Sequence, residues 1–149
     1  METLHAADEV RRTWDDPEPI PDGAVVVGRD RVRAVGPYEE LRARFPDARV
    51  RRWAGVLGPA RVHEGPLPDA PTPRERIHAV LKAGAVAVRA EYAAGPGLGA
   101  AAERVGVRVL PVARAGAITR DGRADLAVFD AEGRCVATVC AGRLVHRRA

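Results

Sequence analysis

The chain contains no serine, a single lysine (Lys82) and only two cysteines among its 149 residues. The absence of serine excludes a serine nucleophile. Cys135 and Cys140 are five positions apart in an expected strand. That spacing places them about 16 Å from each other and on opposite faces, so they do not bridge each other. Neither has a base beside it in the sequence, and we expect two buried thiols in a reducing compartment rather than a nucleophile.

Long apolar runs are also absent. No stretch approaches the ~20 apolar residues that a membrane helix needs. The opening METLHAADEV lacks the basic and then apolar pattern of a signal peptide. Hydrophobic residues make up 46% and charged residues 30%, which is ordinary for a globular protein. We therefore expect no membrane partner and a cytoplasmic location.

The net charge is +4, and every Lys or Arg residue except Lys82 is an arginine. A surface that binds polyanions is one interpretation. The arginines are scattered among acidic residues, however, and aromatic residues make up only 4% of the chain, which is not typical of nucleic-acid recognition. The densest clusters, RVRRW at 49–53 and HRRA at the end, are interpreted as solvated strand ends, and we expect no nucleic-acid partner.

The first part of the chain, to about residue 62, has the pattern of a β structure. The stretch GAVVVGRDRVRAVG (23–36) predicts two short strands around a turn. PYEELRARFP (37–46) predicts one short helix that ends at its second proline. ARVRRWAGVL (48–57) predicts a further strand.

The last part of the chain, residues 117–149, returns to β. RADLAVFD (123–130), CVATVCAG and RLVHRR predict three strands in a meander. Neither end has enough strands to bury both of its faces alone, so we expect the two ends to pair in one sheet system.

Between the two ends the pattern changes. Residues 58–73 contain five prolines, and we expect a linker without a regular ladder there. A helix begins at Pro73 and stops at Gly84. A strand at 85–92, a Gly-rich turn with a helix, and a strand at 107–113 complete a parallel βα unit.

The predicted fold class is therefore α+β. We expect a composite β-sandwich formed by both chain ends, residues 1–62 and 117–149. Residues 63–116 would form the linker and a small inserted βα unit.

Four stretches together resemble the amidohydrolase superfamily, especially its imidazolonepropionase-like and aminodeoxyfutalosine-deaminase-like members. They are TLHAADEV, PDGAVVVGRDRVRAVGPYEEL, RRWAGVLGPARV and GRADLAVFDAEGRCVATVCAGRLVHRR. The resemblance implies a β-sandwich built from both chain ends with a metal-bearing (β/α)₈ barrel between them. It also implies hydrolysis of carbon–nitrogen bonds other than peptide bonds.

The sequence departs from that resemblance in two ways. Aligning Pro59 with the family's proline places the two metal-binding histidines on Gly65 and Leu67, and His63 falls two positions early. A (β/α)₈ barrel also takes about 250 residues, whereas only about fifty lie between the two β segments. We therefore predict no metal, no other cofactor and no catalytic residue.

Polar residues at one strand end are the best candidates for a ligand site. Glu91 and Tyr92 lie at the carboxyl end of a predicted parallel strand, where α/β folds bind ligands. His63, Glu64 and Arg89 are their expected neighbours around a small molecule. Exposed polar residues at a strand end explain the same pattern. A metal site with His63 and Glu64 would need further ligands, and no spacing in the sequence supplies them.

Two functions remain open at this point. The chain is predicted to be a non-catalytic binding or interaction module. The alternative is a small hydrolase or deaminase whose site has been rebuilt or is supplied by a partner. Because a lone βα unit exposes sheet edges and an apolar face, we also expect a homodimer.

Overall fold

Two sheets organise the chain in the computed structural model, which describes residues 1–148. The strands of the larger sheet are β1 (Glu2–Val10), β2 (Ile20–Gly28), β3 (Arg31–Pro37), β4 (Arg49–Pro59), β8 (Leu126–Phe129), β9 (Cys135–Cys140) and β10 (Arg143–Arg147). The smaller sheet contains β5 (Arg61–His63), β6 (Ala85–Arg89) and β7 (Arg108–Leu110). The helices are α1 (Tyr38–Arg44), α2 (Pro73–Lys82) and α3 (Leu98–Val105), with a 3-10 turn at Ala90–Tyr92.

The larger sheet is composite, because both chain ends contribute to it. Its order is β10-β9-β8-β4-β1-β2-β3. The two ends meet where β8 pairs antiparallel with the last residues of β4, from Val56–Phe129 to Pro59–Leu126. The α+β fold class, with one sheet system formed by both chain ends, is therefore confirmed.

This sheet curves back on itself. The N–H of Val32 in β3 donates to the carbonyl of Gly122 at 2.9 Å, and the N–H of Asp121 donates to the carbonyl of Val32 at 2.7 Å. Gly142, after β9, packs directly on the backbone of Arg29, after β2. The two halves of one continuous sheet thus enclose a shared apolar core, which includes Val25, Leu57, Leu126 and Val139.

Strand β2 explains why the sequence reads as a nearly continuous apolar run there. Val25 and Val27 belong to the core inside the curved sheet. Ala24 and Val26 point to the other face, where they share a second cluster with Leu41 of α1. Alternate side chains point to opposite faces of a strand, so a strand that is covered on both sides has no polar face.

The inserted unit packs its helices against both sheets. Thr72 caps α2 by accepting a hydrogen bond from the N–H of Glu75 at 3.1 Å, and Pro73 occupies the first helical position. The helix contacts β6 and also β9 and β10. The buried Thr138 of β9 donates through its hydroxyl to the carbonyl of Leu81 at 2.7 Å. The composite sheet is therefore the platform on which the insert rests.

The linker differs from the prediction. Strand β4 continues to Pro59, and β5 pairs parallel with β6 within the segment that was expected to lack a ladder. Pro59 occupies the last pair of β4, where a missing N–H costs little. Ala60 and Arg61 then donate to the carbonyls of Asp125 and Gly84. The prolines frame the short strand instead of preventing it.

Candidate functional site

The parallel sheet brings the predicted ligand-binding residues to one edge. His63 ends β5 and pairs with Val88, while Arg89 ends β6 and pairs with Leu110. Glu64 follows β5 directly, and Glu91 and Tyr92 lie in the 3-10 turn after β6. Because parallel strands have their carboxyl ends at the same edge, all five residues lie around that edge. Their role in ligand binding stays a prediction.

Three of the side chains at this edge, those of His63, Arg89 and Glu91, have partners within the chain. The guanidinium Nη2 of Arg89 lies 2.7 Å from Oε1 of Glu91. The Nε2 of His63 lies 3.1 Å from the carbonyl oxygen of Pro66. Since a carbonyl only accepts, Nε2 carries the proton in this arrangement. Arg89 Nε is buried without a hydrogen-bond partner among residues 1–148.

The two positions that the resemblance assigns to metal-binding histidines lie beyond the end of β5. Gly65 has a positive φ of 80°, and space is open around the position a Cβ would occupy. Leu67 is only 5% exposed and packs in the core with Ile77 and Val80 of α2. Within residues 1–148, no group of three or more His, Cys, Asp or Glu side chains is arranged to hold a metal ion.

The two cysteines are free, as expected, and lie in β9 against the insert. Burial raises the pKa of both the Cys135 and the Cys140 thiols. A raised pKa leaves the thiol protonated at neutral pH, and the thiolate is the nucleophile. These residues are suited to packing rather than to covalent chemistry.

A cleft that the sequence did not reveal lies on the face of the parallel sheet. Its volume is about 310 Å³. Its walls are the strands β5, β6 and β7, the segment 114–117 and the residues just before β8. Four arginines from four separate segments line it: Arg61, Arg108, Arg114 and Arg123. No local motif joins them, so only the fold brings them together.

Arg61 also forms the floor of a neighbouring groove that contains Trp14 and Glu64. Its guanidinium carbon lies 4.8 Å from the Trp14 ring centre and 4.2 Å from the Phe129 ring centre. Trp14 is fixed in turn by donating from Nε1 to the carbonyl of Pro59 at 2.7 Å. Aromatic faces attract a cation, so Arg61 is held in place without losing its charge.

Comparison with known proteins agrees with this architecture. Residues 23–48 match the model of the bacterial imidazolonepropionase-like composite domain. These residues cover most of the β2–β3 hairpin and α1. No curated protein is significantly similar to the chain in sequence.

Solved structures share the fold at low identity. Guanine deaminase from Bradyrhizobium japonicum superposes with a TM-score of 0.54 at 18% identity, over 73% of this chain and 34% of that one. Escherichia coli guanine deaminase gives 0.50 at 19%, over 73% and 35%. An adenosine deaminase from Xanthomonas campestris with bound zinc gives 0.51 at 17%, over 72% and 33%. The chain thus spans about a third of the length of these structures.

The predicted resemblance to the imidazolonepropionase-like composite domain is therefore confirmed over residues 23–48, and the solved structures share the fold of the chain. The matched residues lie in the seven-stranded composite sheet and α1, and the three parallel strands of the insert do not close into a barrel. None of the helices in residues 1–148 is long and apolar enough to cross a membrane.

Proposed function

We propose that the chain is a non-catalytic binding or interaction module built on an imidazolonepropionase-like composite domain. One observation carries the proposal. A position that the resemblance gives to a metal-binding histidine, beyond the end of β5, is occupied by Leu67, and this side chain is buried in the core against α2.

The chemistry of the edge supports the same conclusion. Activating water for hydrolysis at neutral pH takes a cation held by imidazole or carboxylate ligands. Gly65 and Leu67 have no lone pair to offer. Two of the polar groups at the edge are engaged, with the Nε2 of His63 directed to the Pro66 carbonyl and the carboxylate of Glu91 paired with Arg89. A guanidinium at the strand end also repels a metal cation.

The test joins metal analysis to an activity assay. The protein is purified without a histidine tag or chelator, and its zinc, iron and manganese are measured per chain. Ammonia release from guanine and adenosine is then followed with and without added Zn²⁺, because the similar solved structures are deaminases of these names. We expect substoichiometric metal and no ammonia release above that of buffer.

Two variants make the metal result specific. His63→Ala removes the nearest histidine at the strand end, and His78→Ala removes an exposed histidine on α2 as a matched control. One metal ion per chain that is lost in His63→Ala and retained in His78→Ala would overturn the proposal. It would favour the alternative of a hydrolase or deaminase with a rebuilt site.

We further propose that the partner of this module is a second copy of the chain. In the three-stranded sheet β7 is an edge strand. Two large apolar side chains are exposed at this edge, Val109 at 41% and Val112 at 65%. An unpaired edge with exposed apolar residues is a template for pairing with another strand, and a two-fold axis would bring two such edges together.

Sedimentation velocity at low and high micromolar concentration tests the dimer. We expect a concentration-dependent dimer that Val109→Asp together with Val112→Asp converts to a monomer. The control variant is Arg74→Asp, on the exposed surface of α2. A third valine, Val145, is not used as the control position because its side chain is partly buried against the core. A wild-type protein that stays monomeric at high concentration would contradict this proposal.

A further inference from the structure

The arginine-lined cleft lies on the face of the parallel sheet that the helices leave open. No residue of α2 or α3 lines it. Parallel sheets are normally covered on both faces. Here one face is left uncovered beside the segment 114–117, and the two together form a concave surface. Its volume of about 310 Å³ is at the lower end of the range for small-molecule sites, about 300–1,000 Å³.

The charge of the cleft is strongly one-sided. Asp125 is the only acidic residue among the lining residues, against four arginines. This carboxylate is already engaged by Arg123, whose Nε lies 3.2 Å from its Oδ1, and by the N–H of Ala141 at 2.9 Å. Arg123 in turn donates to the carbonyl of Gly106. Arg123 and Asp125 therefore form a fixed wall of nearly neutral charge.

The other cations of the cleft form no ion pair within residues 1–148. Arg108 and Arg114, both exposed, form neither an ion pair nor a side-chain hydrogen bond there, and Arg61 is held by aromatic rings. Like charges around a concave surface reinforce one another's potential and concentrate anions. An anion in the cleft would relieve this repulsion.

The segment 114–117 forms part of the same wall. It runs close to β4, since a Cβ at Gly116 would lie 3.1 Å from the Pro59 side chain. Within the described chain, residues 114–117 donate no backbone hydrogen bond. Runs of unpaired backbone N–H groups form anion-binding concavities, and guanidinium groups match the oxygens of carboxylates and phosphates in pairs.

We propose that this cleft binds a small dianion that carries phosphate or carboxylate groups. The volume limits the ligand to a small molecule, and the two unpaired guanidiniums of Arg108 and Arg114 match its two negative charges. The cleft adjoins the carboxyl edge of the sheet through Arg114, but none of the five residues predicted there lines it. The proposal also does not depend on whether the chain is catalytic.

Calorimetric titration tests this with two probes, inorganic phosphate and malonate, at an ionic strength held constant with sodium chloride. The cleft variant is Arg108→Gln with Arg114→Gln. The matched control is Arg74→Gln with Arg104→Gln, which removes the same charge from exposed positions of α2 and α3. We expect saturable binding of at least one probe, weakened about tenfold or more in the cleft variant and unchanged in the control.

The outcomes separate the alternatives. Binding of phosphate alone, or of malonate alone, supports the site and identifies its preferred group. No saturable binding of either probe, or an equal loss in the cleft variant and the control, overturns it. A further measurement by nuclear magnetic resonance needs no variant. Phosphate should shift the amide resonances of residues 114–117 and of Val62. Shifts confined to other regions would contradict the site.

Discussion

The composite sheet and the inserted unit differ in how completely their strands are paired and their apolar surface is buried. The composite sheet pairs seven strands of four to eleven residues and curves around a closed core. The insert has three strands of three to five residues, one face packed on helices and the other open as a cleft. The composite sheet can therefore stabilise the fold, whereas the insert leaves one face of its sheet uncovered.

The difference is the reason why we place the proposed binding function in the insert. The parallel strands of the insert have exposed edges, a ring of polar residues at their carboxyl ends and arginines over one face. In a complete barrel this face would be filled by layers of side chains. The same few strands, left open, offer a binding surface where a barrel offers packing. If the proposed binding function holds, stability and binding are separated between the two regions.

The largest expected effect is the loss of the whole fold when the chain is cut after residue 116. The fragment 1–116 lacks β8, β9 and β10, so β4 loses its antiparallel partner and the core loses Leu126, Val128 and Val139. We expect no cooperative urea transition by circular dichroism. This result would support the proposed division into a composite domain, 1–62 with 117–149, and an insert, 63–116.

Co-expression supplies the control for this truncation. When fragments 1–116 and 117–149 are produced together, the missing strands are restored in trans, and we expect a complex that unfolds cooperatively. A fragment 1–116 that stays folded alone would show that the first four strands are self-sufficient, and the composite domain would then be the wrong unit.

Local signals account for the parts of the fold that the sequence predicted. The β2–β3 hairpin, α1 and α2 each depend on residues within about ten positions of one another, such as Thr72 and Pro73 at the start of α2. Gly106 has φ of 81° at the end of α3, a conformation that favours glycine. Such signals act before any tertiary contact forms.

Non-local contacts account for the parts that it missed. Strand β5 has three residues between prolines and owes its existence to parallel pairing with β6, more than twenty positions later. The five predicted site residues do lie around one sheet edge, because strand ends meet there. The arginine cleft combines residues from positions 61 to 123. Their proximity depends on how the insert lies against the composite sheet, which no short pattern encodes.

A smaller effect should appear in the pH dependence of the composite sheet. His5 in β1 is 3% exposed, and its Nδ1 accepts a hydrogen bond from Nε1 of Trp53 at 3.2 Å. Burial first, and the positive charge of Arg51 second, lower the pKa of His5 from 6.5 to about 4. The folded protein therefore holds a neutral ring where the unfolded chain takes up a proton.

The stabilisation that results is complete above pH 6.5 and is lost as the pH falls towards 4. The difference in pKa corresponds to about 3 kcal/mol of unfolding free energy. Urea unfolding at pH 7.0 and pH 4.5 measures this, and His5→Gln should show a smaller decrease than the wild type. His78→Gln, on the exposed surface of α2, should keep the wild-type decrease. Equal decreases in wild type and His5→Gln would contradict the argument.

The smallest effect concerns the contact that joins the two regions. The Thr138 side chain is fully buried in β9, and its hydroxyl donates to the Leu81 carbonyl at the end of α2. Thr138→Val removes that hydrogen bond, together with a weak contact of the hydroxyl to Cys135 Sγ at 3.3 Å, and keeps the shape of the side chain. The Leu81 carbonyl retains the N–H of Gly84 at 3.0 Å, so the cost should be about 1 kcal/mol.

Because the lost bond anchors the insert, hydrogen exchange should accelerate at the amides of α2 while those of β1 and β2 keep their protection. Thr119→Val, at an exposed position, should change neither. Equal acceleration in α2 and β1 would show that the two regions unfold as one unit, and the separation of stability from binding would then fail.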